Sequence, residues 1–332
     1  MLQRKTNFTS TVTVISPFVC KTGEKMKKSL LIMIIAVMIS ALALSACTTT
    51  PAATETGKKT IVVTYSILGS VVKELVGDQA NVVVSMPDGQ DPHEWEPSAK
   101  DIETLTHADM IVQNGLGLEG GMEKALAQAQ EAGVKFFTAS DHITIRTVGE
   151  GEGIPTVDPD QAIGAQDPHL WTDPLTMKAV VAALADQLKT DLGLDVSANA
   201  SALEAKLDAV NDELTAQANS LPEAQRKLVT GHESLGYFAQ RFNFKLIGAI
   251  VPSLSTESEA SAADMAALAQ VIKENQTKAV FTELGTPANV AETIGKETGA
   301  KVVEITTHSL PSDGSYFTFL RNLMTVIVTN LQ

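Results

Sequence analysis

Asp91-Pro92-His93-Glu94-Trp95 returns later in the chain as Asp167-Pro168-His169-Leu170-Trp171. The chain has only six histidines, and two of them hold the same place in this five-residue frame. Each proline fixes its own φ and pushes the preceding aspartate towards an extended conformation, so the frame predicts a rigid loop. Each histidine then sits just past a stiff corner, with a large ring two residues on to pack its base. A corner of this kind aims an imidazole through the backbone, which is what a metal ligand needs.

Around the frames runs an alternation of strands and helices. Thr60–Tyr65, Asn81–Met86, Asp109–Gln113 and Val134–Thr138 read as strands. Helices are predicted over Ser70–Val76, from a Ser98 cap to Leu105 with Asp101 in its first turn, and over 120–131. This order implies a mostly parallel sheet with helices on both faces. Residues 141–166 break the rhythm: rich in glycine and acid (Glu150, Glu152, Asp158, Asp160) and without periodicity, they predict a mobile loop leading into the second frame. Asp173-Pro174 starts a helix through Lys189, with proline in its first turn. Ser201–Ser220 places Leu203, Leu207, Val210 and Leu214 close to an i, i+3/i+4 stripe, a long helix. Beyond Pro222 the alternation resumes, with strands at Lys227–Thr230, Lys245–Val251, Lys278–Thr282 and Lys301–Ile305. Helices accompany them at Tyr237–Arg241, Ser261–Lys273 and Ser315–Thr329. The long helix near 200–221 therefore divides two α/β lobes.

Four histidines fall at strand ends or stiff corners. His93 follows the second strand, His169 the proline corner, His232 the strand 227–230 and His308 the strand 301–305. Ligands of open α/β sheets bind at the carboxyl ends of the strands. If both lobes turn those ends to one cleft, two histidines converge from each side. His107 ends a helix, where a cation suits the dipole, and His142 opens the acidic loop. Both read as surface residues.

The 332-residue chain has a formal net charge of −14. Met26-Lys27-Lys28, the apolar run Leu30–Leu44 and Leu44-Ser45-Ala46-Cys47 form an export signal, too short in its apolar part for a comfortable membrane span. The tetrapeptide resembles the bacterial lipobox, in which the cysteine, here Cys47, becomes the lipidated first residue. Residues 1–25 then read as an upstream extension, and Thr48–Lys59 as a polar tether. With Cys20 removed and Cys47 carrying lipid, the fold has no thiol and rests on an ordinary core. The mature chain carries a net charge of about −19, which argues against nucleic acid and against a basic grip on anionic lipid. Lipid, not charge, holds it at the membrane.

Two enzyme classes are weighed and set aside. Gly115-Leu-Gly-Leu-Glu-Gly120 fits the dinucleotide fingerprint, with Asp141 further on, but it lies in the third strand–helix unit of an exported chain. His232-Glu233 begins the H-E-x-x-H of zinc hydrolases, but the fifth residue is Gly236.

The motifs together resemble the cluster A-I (cluster 9) solute-binding lipoproteins of bacterial zinc and manganese ABC importers. The matching pieces are Thr64–Leu68, Gly89-Gln-Asp-Pro-His-Glu-Trp-Glu-Pro97, Ala108-Asp109 and Asn114–Glu119. They continue through Asp167–Pro174, His232–Phe238 and Thr307-His-Ser-Leu310. The resemblance implies two α/β lobes with mostly parallel sheets, joined by one long rigid helix, with a metal site in the cleft between them. The expected division is 1–46 extension and signal, 47–59 tether, 60–198 first lobe, 199–221 linking helix and 222–332 second lobe. It implies an extracytoplasmic, lipid-anchored monomer, not an enzyme, that passes a divalent metal to a membrane permease and its ATPase. The family's ligand positions carry over as His93, His169, His232 and His308.

This sequence departs from the family pattern in three places. The family usually has an acid where His308 stands; zinc receptors often carry a histidine-rich loop before the second frame; and some members have a disulfide in the second lobe. In the family a third ligand of glutamate goes with manganese, and that position here is His232. Imidazole suits Zn(II) and carboxylate suits Mn(II), and four neutral imidazoles fill a tetrahedral zinc shell. The expected cargo is Zn(II), with Mn(II) the alternative. The fourth position stays open between His308, a nearby acid such as Asp313 or Glu283, and water. Protons compete with metal for imidazole, so affinity is expected to fall on acidification with several protons taken up per metal released.

Overall fold

The computed structural model describes residues 57–153 and 162–332. The export signal, Cys47 and nearly all of the tether lie outside the described residues, as do residues 154–161 of the acidic loop.

In the first lobe β1 (Lys59–Val63), β2 (Ala80–Val84), β3 (Met110–Gln113) and β4 (Lys135–Thr138) form one parallel sheet in the order β2-β1-β3-β4. The order reverses between β1 and β3, and the carboxyl ends beside that point form the crevice in such sheets. α1 (Ser66–Val76) starts earlier than the pattern suggests, because Ile67, Leu68, Val71, Val72 and Leu75 form one buried face from the first turn. α2 (Ala99–Thr106) begins at the expected Ser98 cap, and Asp101 closes a full capping box. α3 (Glu123–Glu131) follows a short 3-10 turn at Gly120–Met122.

α4 (Pro174–Gln187) runs on into a π turn, Leu188–Leu192, and α5 (Ser197–Asn219) is the long helix. Its buried face is the expected stripe, Leu203, Leu207, Val210 and Leu214, extended by Ala200 and Ala218. Near its start Asn199 donates to the Leu75 carbonyl at 2.9 Å, and near its end Glu213 pairs with Arg321 at 2.8 Å.

The second lobe holds two parallel pairs, β5 (Lys227–Thr230) with β6 (Lys245–Ala249) and β7 (Ala279–Thr282) with β8 (Lys301–Glu304). β5 lies beside β7. α6 (Gly236–Phe242), α7 (Ala262–Asn275), α8 (Ala288–Thr298) and α9 (Tyr316–Leu331) complete it. α8 is not foreseen from the sequence. Its buried side chains are Ala291 and Ile294, three residues apart on one short face.

One apolar core runs through both lobes. Ile61 and Val63 of β1, Leu203 and Leu207 of α5, Phe281 of β7 and Leu320 of α9 belong to the same cluster. Smaller clusters sit on the outer face of each sheet. Among the described residues no helix is long and apolar enough to cross a membrane.

The acidic loop departs from expectation. Its described parts are pinned: Thr147 bridges Gln166, the Val148 amide donates to the Ala165 carbonyl at 2.9 Å, and Arg146 is buried.

Candidate metal centre

The repeated frame repeats in structure. The His93 amide donates to Asp91 Oδ1 at 3.0 Å, and the His169 amide donates to Asp167 Oδ1 at 2.9 Å. Each aspartate thus closes a turn over a proline that has no N–H of its own, and this turn sets where the histidine leaves the backbone. The packing rings differ. Trp171 is fully buried, 5.4 Å from the His169 ring, and its indole donates to the Thr307 carbonyl at 2.9 Å. Trp95 instead packs against the apolar clusters of the first lobe.

His93, His169, His232 and His308 come together, each at most 4 % exposed, with one donor atom apiece inside a 4.8 Å sphere of mutual distances. His169 Nε2 lies 3.3 Å from His93 Nε2 and 3.2 Å from His232 Nε2. Two nitrogens of a tetrahedral zinc shell with bonds of about 2.0–2.1 Å stand about 3.3–3.4 Å apart. His308 Nε2 is buried with no hydrogen-bond partner, so its lone pair or proton awaits one. His107 and His142 lie apart and exposed: Glu103 caps the first through its carbonyl at 2.8 Å, and the second stacks on Phe137.

The far side of the cluster is built from carboxylates whose contacts the sequence does not reveal. Asp167 Oδ1 accepts from His169 Nδ1 at 2.9 Å, which turns the Nε2 lone pair inward. Glu283 Oε1 lies 3.0 Å from His232 Nδ1, within ion-pair reach though off the line of a hydrogen bond, and accepts the His232 amide at 3.2 Å. Ser234 and Thr307 hydroxyls also donate to Glu283. The loop of His169 is tied down by Asn114, which donates to the Pro168 carbonyl, and by Tyr316, which donates to that of Trp171.

Electrostatics divides the four. Burial, then the neighbouring imidazoles, holds His93 well below its ordinary value, and burial with His232 holds His308 down at about 3. Burial lowers His169 more than Asp167 raises it. At His232 burial also works against the proton, but Glu283, Asp91 and Glu233 together outweigh it and the pKa is raised. Burial alone would raise Glu283; the His232 charge and hydrogen bonds take it down to about 2. Three imidazoles held neutral and one paired with a buried carboxylate bring together four nitrogens of a kind that could hold a cation.

Residues 61–330 match the family of the zinc-uptake complex component A, periplasmic. The chain belongs to that family. It is 26 % identical over 259 residues to the manganese-binding lipoprotein MntA of Halalkalibacterium halodurans, covering 77 % of this chain and 81 % of the relative. It is 28 % identical to the iron ABC transporter substrate-binding lipoprotein MtsA of Streptococcus pyogenes, over 90 % of this chain and 96 % of that one. The periplasmic zinc-binding protein TroA of Treponema pallidum superposes with a TM-score of 0.69 at 26 % identity, covering 83 % of this chain and 99 % of TroA. Members of the family are the extracytoplasmic metal-binding components of ABC importers, and the names of these relatives span manganese, iron and zinc.

Neither acid considered beside His308 faces the cluster as a free donor. Asp313 is exposed and caps the start of α9 through the Ser315 amide and the Thr318 hydroxyl. Glu283 stands behind His232, engaged as described. The glycine-rich turn is equally committed: the Asn114 and Gly115 amides, which a phosphate would need, donate to Glu119 at 2.6 and 3.1 Å. At the fifth position of the H-E-x-x-H frame, a Cβ on Gly236 would overlap Asp167 and the Arg146 guanidinium. Where this family member differs from a zinc hydrolase, the space is already filled.

Proposed function

We propose that this protein captures Zn(II) outside the cytoplasmic membrane, through His93, His169, His232 and His308, and delivers it to an ABC importer. The observation that carries this reading is the all-nitrogen donor set, four buried imidazoles whose donor atoms lie within 4.8 Å of one another. Imidazole nitrogens favour Zn(II) over Mn(II), which prefers oxygen, and two of the pairs, His169 with His93 and His169 with His232, already stand at the spacing of a tetrahedral shell. Four protein donors also leave no open position for a reactive water, which supports a receptor over an enzyme. The manganese reading is favoured by the names of relatives, MntA among them, and the donor set speaks against it.

The rest of the assignment follows the same reading. Residues 1–46 are removed, Cys47 carries the lipid, and 47–59 tether a monomer to the outer face of the membrane. The lobes are 60–198 and 222–332, joined by 199–221, and the partners are a permease and its ATPase. Protein purified without chelator and exposed to equimolar zinc and manganese should retain about one zinc and little manganese. Retention of manganese over zinc overturns the assignment.

A further inference from the structure

Arg146 is buried in the neck of the acidic loop, with its guanidinium between two carboxylates. Nη1 donates to Asp167 Oδ2 at 3.0 Å, and Nη2 pairs with Glu152. Asp167 is fully buried, and its other oxygen is the one that holds both the amide and Nδ1 of His169. The carboxylate is thus shared, one oxygen to the guanidinium and the other to the imidazole. The backbone repeats the connection, since the Asp167 amide donates to the Arg146 carbonyl at 3.0 Å. The Arg146 amide in turn donates to the Tyr237 hydroxyl of α6 at 2.9 Å. Glu233 also faces this cluster, buried, with Oε1 unpartnered. The first frame has no counterpart: Asp91 Oδ2 is buried without a partner.

We propose that Arg146 is a positioning residue for metal capture, fixing the plane of the Asp167 carboxylate so that His169 presents Nε2 to the centre of the four histidines. This inference rests on the metal-receptor reading above. An aspartate held only by His169 can turn about its Cβ–Cγ bond, and the imidazole turns with it. A guanidinium fork prevents that because its donors are rigid and planar, whereas an ammonium fixes position without fixing the plane. Glu152 holds the outer side of the guanidinium and ties it to the acidic loop.

The test uses the full chain and two probes, Zn(II) in competition with a chromophoric chelator and Co(II) by its ligand-field absorption at saturation. Arg146→Gln should lose about 10–100-fold in zinc affinity, the range of lost outer partners of a ligand, with Arg146→Lys between it and wild type. Both should shift the Co(II) bands at saturation, a change that mere loss of folded protein does not produce. Arg241→Gln, which breaks the Arg241–Asp173 pair away from the histidines, should leave bands and affinity unchanged. If Arg146→Gln does not fold, Arg146→Lys decides alone. Bands identical to wild type at saturation overturn the proposal, whatever the affinity. Should wild type and His169→Ala bind zinc equally, the receptor reading itself falls, a distinct outcome.

Discussion

His169 Nε2 and His232 Nε2 face each other at 3.2 Å, one on the loop that closes the acidic segment and the other on the loop after β5. Each ring has a carboxylate behind its Nδ1, Asp167 at 2.9 Å and Glu283 at 3.0 Å. With both Nδ1 protonated, two lone pairs oppose one another, an arrangement relieved only by a proton or a cation between them. The gap between the two rings is therefore a place that a proton and a cation compete for, and the behaviour of the centre with pH and substitution follows.

The pH response should be led by one residue. A metal-bound imidazole is neutral, and His232 is the member of the cluster whose pKa is raised, while His93, His169 and His308 are lowered. Zinc binding should then release about one proton below pH ~6.5, fewer than four ordinary histidines would give, and affinity should fall about tenfold per pH unit as the solution is acidified through the His232 pKa. In the metal-free protein the sign for stability is the reverse: the His232–Glu283 pair stabilises below about pH 6.5 and that contribution is lost as pH rises through the raised pKa. Isothermal titration in buffers of different ionisation enthalpy counts the protons. Several protons released at pH 6.5 would contradict the division described here.

His308→Ala removes one nitrogen donor, and zinc affinity should drop about 10–100-fold or more, beyond the usual cost of an outer-shell change. His308→Asp restores the acid usual in the family. It should keep zinc while moving selectivity towards Mn(II) and Fe(II). Competition titrations against a zinc chelator read both, with His107→Ala as the unaffected control. Wild-type affinity in His308→Ala would remove His308 from the shell and return the fourth position to water.

Gly236→Ala should damage the site from behind. The new methyl enters the space of Asp167 Oδ2 and the Arg146 guanidinium, so α6 or the Asp-Pro-His loop must shift. Overpacking of this kind costs about 1–3 kcal/mol, and the zinc-free melting temperature should fall accordingly. Gln240→Gly, at an exposed position of the same helix, serves as the comparison for helix propensity, with the sign reversed. Full stability in Gly236→Ala would mean that the pair yields without strain.

Lipidation is tested by metabolic labelling with a radioactive fatty acid. Wild type should be marked and Cys47→Ser should not. Equal labelling of the two would place the anchor elsewhere.

Much of this is legible in residue order. Strand-forming runs such as Ile61-Val62-Val63 and caps such as Ser98 with Asp101 act over a few residues, and they appear where expected. The Asp-Pro-His frames are legible for the same reason, since each turn closes within three residues. What stays hidden depends on residues far apart. Glu283 reaches His232 across 51 positions, and Asn114 reaches Pro168 across 54. The acidic loop looks unstructured because its described parts are ordered by a closing bridge, Thr147 to Gln166, and by the Arg146 contact with Tyr237, 91 residues on, neither of which leaves a periodic pattern. α8 is missed although its apolar face, Ala291 and Ile294, is set against exposed Glu292, Lys296 and Glu297, because eleven residues give the pattern little length in which to stand out.

The four imidazoles are spread from residue 93 to residue 308. An unfolded chain therefore offers an ion only isolated donors, and a fragment containing either frame alone offers one. Occupancy becomes a property of the finished fold, and cargo stabilises its carrier by the amount that free ion exceeds the dissociation constant, about 2.7 kcal/mol at a hundredfold excess. A starved receptor is then the softer one, more open to proteases than a loaded copy. Turnover of the protein would follow metal supply with no dedicated sensor, and pulse proteolysis with and without zinc measures the difference.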